Sequence, residues 1–171
     1  MKDDAIEVLE KIRKAELVIW SVPLYAYGAL SHCKTLMDRT LCFNSPEMYI
    51  DEKGIAHHHG YEEGTKKTVL ISTAGLPNRE GNFDGLVFQM RHMYGDRMPA
   101  ICCAEGSLFM NEQTAQIVAP YIESVKKAGA EYKNTGEIPE SLQAYLDTLL
   151  VPSEEYVKVV NGIFTSMAGG K

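Results

Sequence analysis

The sequence predicts an α/β fold with a parallel sheet. Three short runs are mainly apolar, at residues 16–22 (ELVIWSV), 68–74 (TVLISTA) and 99–104 (PAICCA). Runs without polar alternation are typical of strands buried on both faces, as in parallel sheets. Patterns with helical spacing separate the runs, and such alternation of strands and helices implies right-handed βαβ units.

Local signals predict the first helices. Asp3 or Asp4 can cap a helix whose apolar positions recur at helical spacing, with basic residues near its end. A second helix is predicted over residues 29–43, where Leu30, Cys33, Met37 and Leu41 fall on one side. On this helix Lys34 and Asp38 lie four residues apart, which favours a surface ion pair.

Later helices are predicted in the same way. One begins after a possible cap at Asn82, and another covers residues 111–127. Pro120 should kink or restart the latter helix, and Gly129 is a plausible end. Two closing helices are predicted at residues 139–150 and 153–164, before a flexible tail at 167–171.

Residues 44–67 form an unusually long connection. Loops of this length tend to be lids or binding loops, although a surface hairpin with a short edge strand at 47–50 is equally compatible. Three adjacent histidines, His57–His59, lie within it. Adjacent side chains point in different directions and rarely share one ion, so we predict a mobile polar loop, or a lid touching a ligand, and no metal site.

Composition narrows the class of protein. The chain has 171 residues, which fits one domain (1–171), and carries a net charge of −6, which argues against nucleic acid or an anionic membrane as partner. It contains no apolar stretch long enough to span a membrane, and its charged N-terminus lacks a secretory signal. The four cysteines show no CxxC spacing and are expected to be reduced, largely buried thiols in a cytoplasmic protein.

The segments after the three strands are the candidate ligand site. Ligands of open parallel sheets bind beyond the carboxyl ends of the strands. The segments SVPLYAYGALS (21–31), STAGLPNREGN (72–82) and AEGSLFMN (104–111) leave those ends, and all contain glycine. Backbone amides and the faces of Tyr25 and Tyr27 suit a planar heteroaromatic ligand, whereas packing tyrosines and simple turns are the alternative.

Other candidate groups indicate no catalytic constellation. Cys102 and Cys103 lie on a predicted buried strand and should be inert. Glu105 follows that strand, where it can face the site or be a solvated loop carboxylate. The sequence has no Ser–His–Asp arrangement, no phosphate-binding GxxxxGK motif and no HExxH motif, so we predict no catalytic residue.

One stretch carries a family resemblance. AELVIWSVPLYAYGALSHCKTLMDRT (15–40) resembles a pattern of flavodoxin-like NAD(P)H-dependent FMN reductases and related flavoproteins. KKTVLISTAGLPNREGNFDGL (66–86) and ICCAEG (101–106) are similar to the strand ends that follow in that group, and the resemblance covers about 1–135, leaving 136–166 as C-terminal helices. It implies a flavodoxin-like three-layer sandwich with flavin contacts at Ser21, Pro23, Leu24, Tyr25, Tyr27, Gly28, Thr73, Ala74 and Gly75.

The resemblance also implies a chemistry. FMN would be the cofactor and NAD(P)H the electron donor, with a quinone, a flavin or another small molecule as acceptor. The flavin would supply the reactivity, so no side chain is required as an acid or a base. Two alternatives stay open: a non-catalytic flavodoxin-like module for assembly or interaction, and an electron-transfer flavoprotein that does not use a nicotinamide.

The chain departs from the family at its N-terminus. Family members begin with another strand and a Ser/Thr-rich loop that holds the FMN phosphate, and relative to them this sequence is N-terminally truncated. Loss of that strand should expose an edge of the strand at 16–22, which favours a homo-oligomer, a dimer or larger. The chain could be part of a longer flavoprotein, could build its sheet across a dimer, or could have lost flavin binding.

Overall fold

The computed structural model describes residues 3–60 and 67–168. The strands are β1 (Leu17–Tyr25), β2 (Gly28–Ala29), β3 (Asn44–Ile50), β4 (Ala56–Gly60), β5 (Lys67–Thr73) and β6 (Ala100–Cys103). The helices are α1 (Ala5–Lys14), α2 (Ser31–Arg39), α3 (Asp84–Tyr94), α4 (Ala115–Thr135), α5 (Glu140–Leu146) and α6 (Ser153–Ala168). Short 3-10 helices cover Thr40–Phe43, Gly106–Met110 and Glu112–Thr114.

The main sheet has the order β2-β1-β5-β6. β1, β5 and β6 are parallel, with Val22, Ser72 and Cys102 in one row of Cα neighbours. β2 is antiparallel to β1. The predicted α/β fold with a mainly parallel sheet is confirmed. The neighbouring strands β1, β5 and β6 have the same order as the last three strands of a 2-1-3-4-5 sheet.

Helices cover both faces of this sheet. On one face Trp20 and Leu70 pack with side chains of α2 and α3, among them Met37 and Leu86. On the other face Ile101, Cys103, Tyr121, Ala128 and Leu146 form a second cluster, which joins β6 to α4 and α5. Burial on both sides explains why β5 and β6 lack polar alternation. β1 is covered on one face only, and Leu17, Ile19 and Ser21 are exposed on the other.

The outer edge of β1 is open along most of its length. Only Leu24 and Tyr25 pair with β2, and within the described residues no strand neighbours 17–23 on that edge. Leu17 and Ile19 are 40% and 52% exposed, and α1 buries none of its residues. The sheet therefore has an apolar edge of the kind expected from the sequence.

Several helix boundaries differ from prediction. α2 begins at Ser31 rather than at residue 29, because Gly28 and Ala29 pair with the end of β1. Asn82 does not cap α3: its side-chain amide donates to the carbonyl of Asn78 at 2.5 Å, and Phe83 occupies the cap position. α5 ends at Leu146, four residues earlier than predicted. The predicted ion pair between Lys34 and Asp38 on α2 is confirmed, with a distance of 2.5 Å between Nζ and Oδ1.

The largest error concerns α4. The helix continues through Pro120 and Gly129 and ends only at Gly136, whose φ of 81° is left-handed. Pro120 is exposed, so water can solvate the carbonyl one turn before it. The predicted flexible tail also needs correction, because α6 includes 167–168, while 169–171 lie outside the described residues.

The connection at 44–67 contains a β-hairpin, so the hairpin alternative is confirmed, with the expected strand at 47–50 inside β3. The loop predicted around His57–His59 is instead a strand. β3 and β4 form a separate two-stranded sheet, with the three histidines in β4 and the ring of Tyr49 4.7 Å from that of His59. The hairpin precedes the start of β5, and its Lys53 lies 3.5 Å from Asp96, shortly before β6. It therefore lies where the parallel strands begin, away from their carboxyl ends, and the prediction of a lid over those ends is wrong. Residues 61–66 are outside the described residues.

The two glycines of α4 provide a direct stability test. Gly129 lies inside the helix with open space around its Cα, so Gly129→Ala should stabilise the protein by about 0.5–1 kcal/mol. Gly136→Ala should destabilise it by about 1 kcal/mol, because alanine disfavours a positive φ. Urea unfolding of both variants measures these changes, and effects of the opposite sign would place the end of the helix at Gly129.

Candidate functional site

The carboxyl ends of the parallel strands bring the three glycine-containing segments together. Pro23 and Thr73 are Cα neighbours on β1 and β5, and Thr73 and Cys103 are neighbours on β5 and β6. The residues that follow form one surface, which we call the strand-end rim and define as residues 23–29, 73–77 and 105–110. It is the candidate site.

The predicted flavin-contact residues lie in different environments around this rim. Tyr25 and Tyr27 are 66% and 62% exposed, and Thr73 and Gly75 are also exposed. Leu24 and Ala74 pack in the core, which leaves only their backbone for a ligand. Pro23 and Gly28 are half-buried at the rim. Ser21 is exposed on β1, two residues before the rim and on the same face as Ile19 and Pro23.

The turn between β1 and β2 is conformationally strained. Ala26 and Tyr27 have φ angles of 48° and 62°, as a type I′ turn requires. Glycine and asparagine normally occupy these positions, and each other residue costs about 1–2 kcal/mol there. The turn projects both tyrosines from the sheet, and the carbonyl oxygen of Tyr27 lies beside Gly85 in the first turn of α3.

The segment after β5 has a one-sided hydrogen-bond pattern. Three consecutive carbonyls are bound by the protein: Ala74 accepts from the Gly106 N–H at 2.7 Å, Gly75 from the Tyr156 hydroxyl at 2.6 Å, and Leu76 from the Glu105 N–H at 3.0 Å. The N–H groups of Gly75 and Leu76 have no acceptor within the described residues. They remain available for the acceptor atoms of a ligand or for water.

Two rim residues were missed by the sequence analysis. Gly106 allows a close approach of two segments, because a Cβ there would lie only 3.1 Å from the Ala74 carbonyl oxygen, tighter than most Cβ contacts. This close contact brings Ser107 beside the segment after β5, with its hydroxyl oxygen 3.7 Å from the position of a Cβ on Gly75. The Gly-Ser pair directly after the third strand was the sequence signal that could have indicated both.

Glu105 has a different role from either prediction. It is fully buried, and its carboxylate Oε2 accepts the Leu150 N–H at 2.5 Å, so it neither faces a ligand nor lies in solvent. Burial raises the pKa of this carboxyl, and the amides of Leu150 and Val151 partly oppose that effect. Glu105 thus fixes the end of β6 to the connection between α5 and α6.

The rim is otherwise without charge. Glu105 is the only acidic or basic residue in its three segments, and it points inward. The nearby thiols are not nucleophiles, because burial raises the pKa of Cys102 to about 12 and that of Cys103 to about 11. Cys33 is buried as predicted, whereas Cys42 is exposed. An uncharged, aromatic and amide-bearing surface suits a neutral planar group better than a metal ion or a phosphate.

Other features of the described residues bear on function. A groove of about 1530 Å³ runs along the outer edge of β6, where Arg79 pairs with Asp147, and none of the predicted flavin-contact residues lines it. Within 3–60 and 67–168, no three histidine, cysteine or acidic side chains come close enough together to hold a metal ion. In the same part of the chain, every helix is too short or too polar to cross a membrane.

Comparison with known proteins gives weak structural similarity and no family. The chain matches no protein-family model and no curated protein. Among solved structures it is similar to an azoreductase from Bacillus anthracis str. Sterne, with a TM-score of 0.44, 16% sequence identity and coverage of 84% of this chain. The match covers 61% of the azoreductase, so this chain spans about three fifths of that protein. Such a low similarity carries no function to this chain, and the fold assignment rests on the observed sheet.

The buried carboxyl of Glu105 predicts a pH dependence of stability. Its folded-state pKa is raised, so the folded state binds the proton more tightly and its stability falls as pH rises above the ordinary value of 4.5. Glu105→Gln keeps an oxygen for the Leu150 amide and cannot ionise. The variant should therefore gain stability relative to wild type between about pH 5 and about pH 8.

Urea unfolding at both pH values checks this expectation. Glu112→Gln, at an exposed position, is the control and should not change the pH dependence. Parallel stability curves for wild type and Glu105→Gln would show that the buried carboxyl does not titrate abnormally.

Proposed function

We propose that this protein is an FMN-dependent oxidoreductase that passes electrons from NAD(P)H to a small acceptor such as a quinone or a flavin. The supporting observation is the strand-end rim, an uncharged surface that carries two exposed tyrosines and two backbone N–H groups with no acceptor within the described residues. The resemblance of residues 15–40 to flavodoxin-like FMN reductases adds independent support from the sequence.

The rim fits the isoalloxazine ring in two respects. Tyr25 and Tyr27 offer aromatic faces, and aromatic pairs contribute about 0.5–1.5 kcal/mol beyond the area they bury. The N–H groups of Gly75 and Leu76 can donate to the oxygen and nitrogen acceptors of the ring. The three rim segments contain no basic side chain, so the fit concerns the ring and not the phosphate of FMN.

The residues of this chain would act by position rather than by proton transfer. When bound, the flavin supplies the hydride and electron chemistry. The backbone donors of the segment after β5 would stabilise negative charge on the ring, and the tyrosines would exclude water from its face. The one acidic side chain of the three rim segments, Glu105, is buried and points away from the rim surface.

Two other functions compete with this one. The open edge of β1 favours a non-catalytic interaction module, and the same rim would also suit an electron-transfer flavoprotein. Purified protein that is colourless and gains no thermal stability with FMN would support the module. Bound FMN without NADPH oxidation in the presence of a quinone would support the electron-transfer protein.

Binding of FMN tests the proposed site directly. Titration of the protein into FMN should quench the flavin fluorescence, and Tyr25→Ser or Tyr27→Ser should each weaken binding about 3- to 10-fold through loss of an aromatic contact. The control is Tyr145→Ser, which removes an exposed tyrosine from α5. If all three tyrosine variants bound FMN with equal affinity, the proposal that the flavin binds at the rim would be contradicted.

We also propose that the protein forms a homo-oligomer through the open edge of β1. Residues 17–23 (LVIWSVP) contain no charged side chain, although free edges are commonly protected by charge. An unpaired apolar edge favours addition of a strand from another molecule.

A lysine on this edge should disrupt the assembly. Ile19→Lys places a charge on an apolar side chain that is 52% exposed, and light scattering should show a shift to monomer. Ile117→Lys on α4 is the control, since it changes an exposed isoleucine outside the sheet. A wild-type protein that is monomeric while fully loaded with FMN would contradict the proposal.

A further inference from the structure

We propose that Tyr156 in α6 is a positioning residue for the ligand at the strand-end rim. Its hydroxyl holds the Gly75–Leu76 peptide in the orientation that directs the Leu76 N–H away from the protein and toward the ligand. This inference rests on the proposed function, since it takes the flavin ring as the ligand. It extends the site to a helix whose sequence carries none of the family resemblance.

The position of Tyr156 is well determined by its surroundings. The side chain is 2% exposed and packs with Leu108, a buried residue of the rim, and with Val118 of α4. Its hydroxyl donates to the Gly75 carbonyl at 2.6 Å, across 81 residues of sequence. Because packing restrains the buried ring of Tyr156, its hydroxyl also restrains the position of the Gly75 carbonyl that accepts its hydrogen bond.

Because of peptide geometry, the hydrogen bond from Tyr156 to the Gly75 carbonyl also sets the direction of the Leu76 N–H. The Gly75 carbonyl and the Leu76 N–H belong to the same planar trans peptide, so they point in opposite directions. A carbonyl directed at Tyr156 therefore places the Leu76 N–H on the side away from α6. The preceding peptide is held similarly, because the Gly106 N–H binds the Ala74 carbonyl at 2.7 Å and thereby orients the Gly75 N–H.

The Gly75–Leu76 peptide needs the restraint from Tyr156 because residue 75 is a glycine. Gly75 lacks a Cβ, so steric hindrance restricts rotation of its peptide less than it would at another residue. The Gly75 carbonyl accepts no backbone N–H in the described part of the chain, and the tyrosine hydroxyl is what restrains it. Without the hydroxyl the peptide can turn, and the Leu76 N–H loses its fixed direction.

The start of α6 is itself tied to the rim. The carboxylate of Glu105 binds the Leu150 N–H just before α6, and the Glu105 N–H binds the Leu76 carbonyl at 3.0 Å. The end of β6 and the helix α6 therefore hold the same segment from two directions. Through these contacts α6 acts as part of the site without touching the ligand.

The test compares two tyrosine-to-phenylalanine variants. Tyr156→Phe removes the hydroxyl and leaves the ring in place. Tyr121→Phe is the matched control, since Tyr121 is also buried and its hydroxyl also binds a backbone carbonyl, that of Leu146 at 3.2 Å. Urea unfolding should show that both variants fold and that their midpoints fall by similar amounts.

Only Tyr156→Phe should affect the rim. We expect its affinity for FMN to fall about 3- to 10-fold, because the hydrogen bond that orients the Leu76 N–H is lost. In the FMN-free protein, NMR should show a changed shift and faster exchange for the Leu76 amide, with a smaller effect at Gly75. Tyr121→Phe should match wild type in both measurements.

The outcomes separate the two proposals. An unchanged Leu76 amide in Tyr156→Phe, or FMN affinity equal to that of Tyr121→Phe, would overturn the positioning role. If wild type binds no FMN, the proposed function fails, and the amide measurement alone then decides whether Tyr156 orients this peptide.

Discussion

The parallel hydrogen-bonded register of β1, β5 and β6 is the constraint on which the rest of the structure depends. Because the register places Pro23, Thr73 and Cys103 in one row, the three segments that follow must all leave the sheet at the carboxyl ends of its parallel strands. Helices on both faces bury β5 and β6, and helices on one face cover β1, which holds this row in place. A rim made from parts of the chain that are far apart in sequence follows directly from that pairing.

The parts of the fold that were predictable from the sequence are those encoded by local periodicity. Burial on both faces leaves an uninterrupted apolar run in β5 and β6. β1 was found by the same apolar run, although one of its faces is exposed in the structure. The length of α4 was mispredicted because Pro120 and Gly129 are poor helix residues locally, yet packing of Tyr121, Ala128 and Tyr132 retains them in the helix. His57–His59 resembled a loop because an isolated hairpin with two exposed faces has no apolar alternation.

The candidate site divides in the same way. That its glycine-containing segments lie along one rim was predictable, since ligand-binding segments of parallel sheets leave the carboxyl ends of the strands. Tyr156 and the buried role of Glu105 were not, because each acts through one contact between distant segments that no local pattern records. Ser21 was carried over from the family pattern, and it lies on β1 two residues before the rim, on the face that also carries Ile19 and Pro23.

The strained β1–β2 turn gives the rim two sides of unequal stiffness. The segment after β5 has its carbonyls held by three hydrogen bonds, whereas the turn with Ala26 and Tyr27 is supported by only two residue pairs and carries two unfavourable backbone conformations. Segments with few contacts and stored strain open at the lowest free-energy cost. A ligand would therefore be admitted and released on the tyrosine side, and the rate of that exchange would follow the opening of a hairpin rather than the motion of a domain.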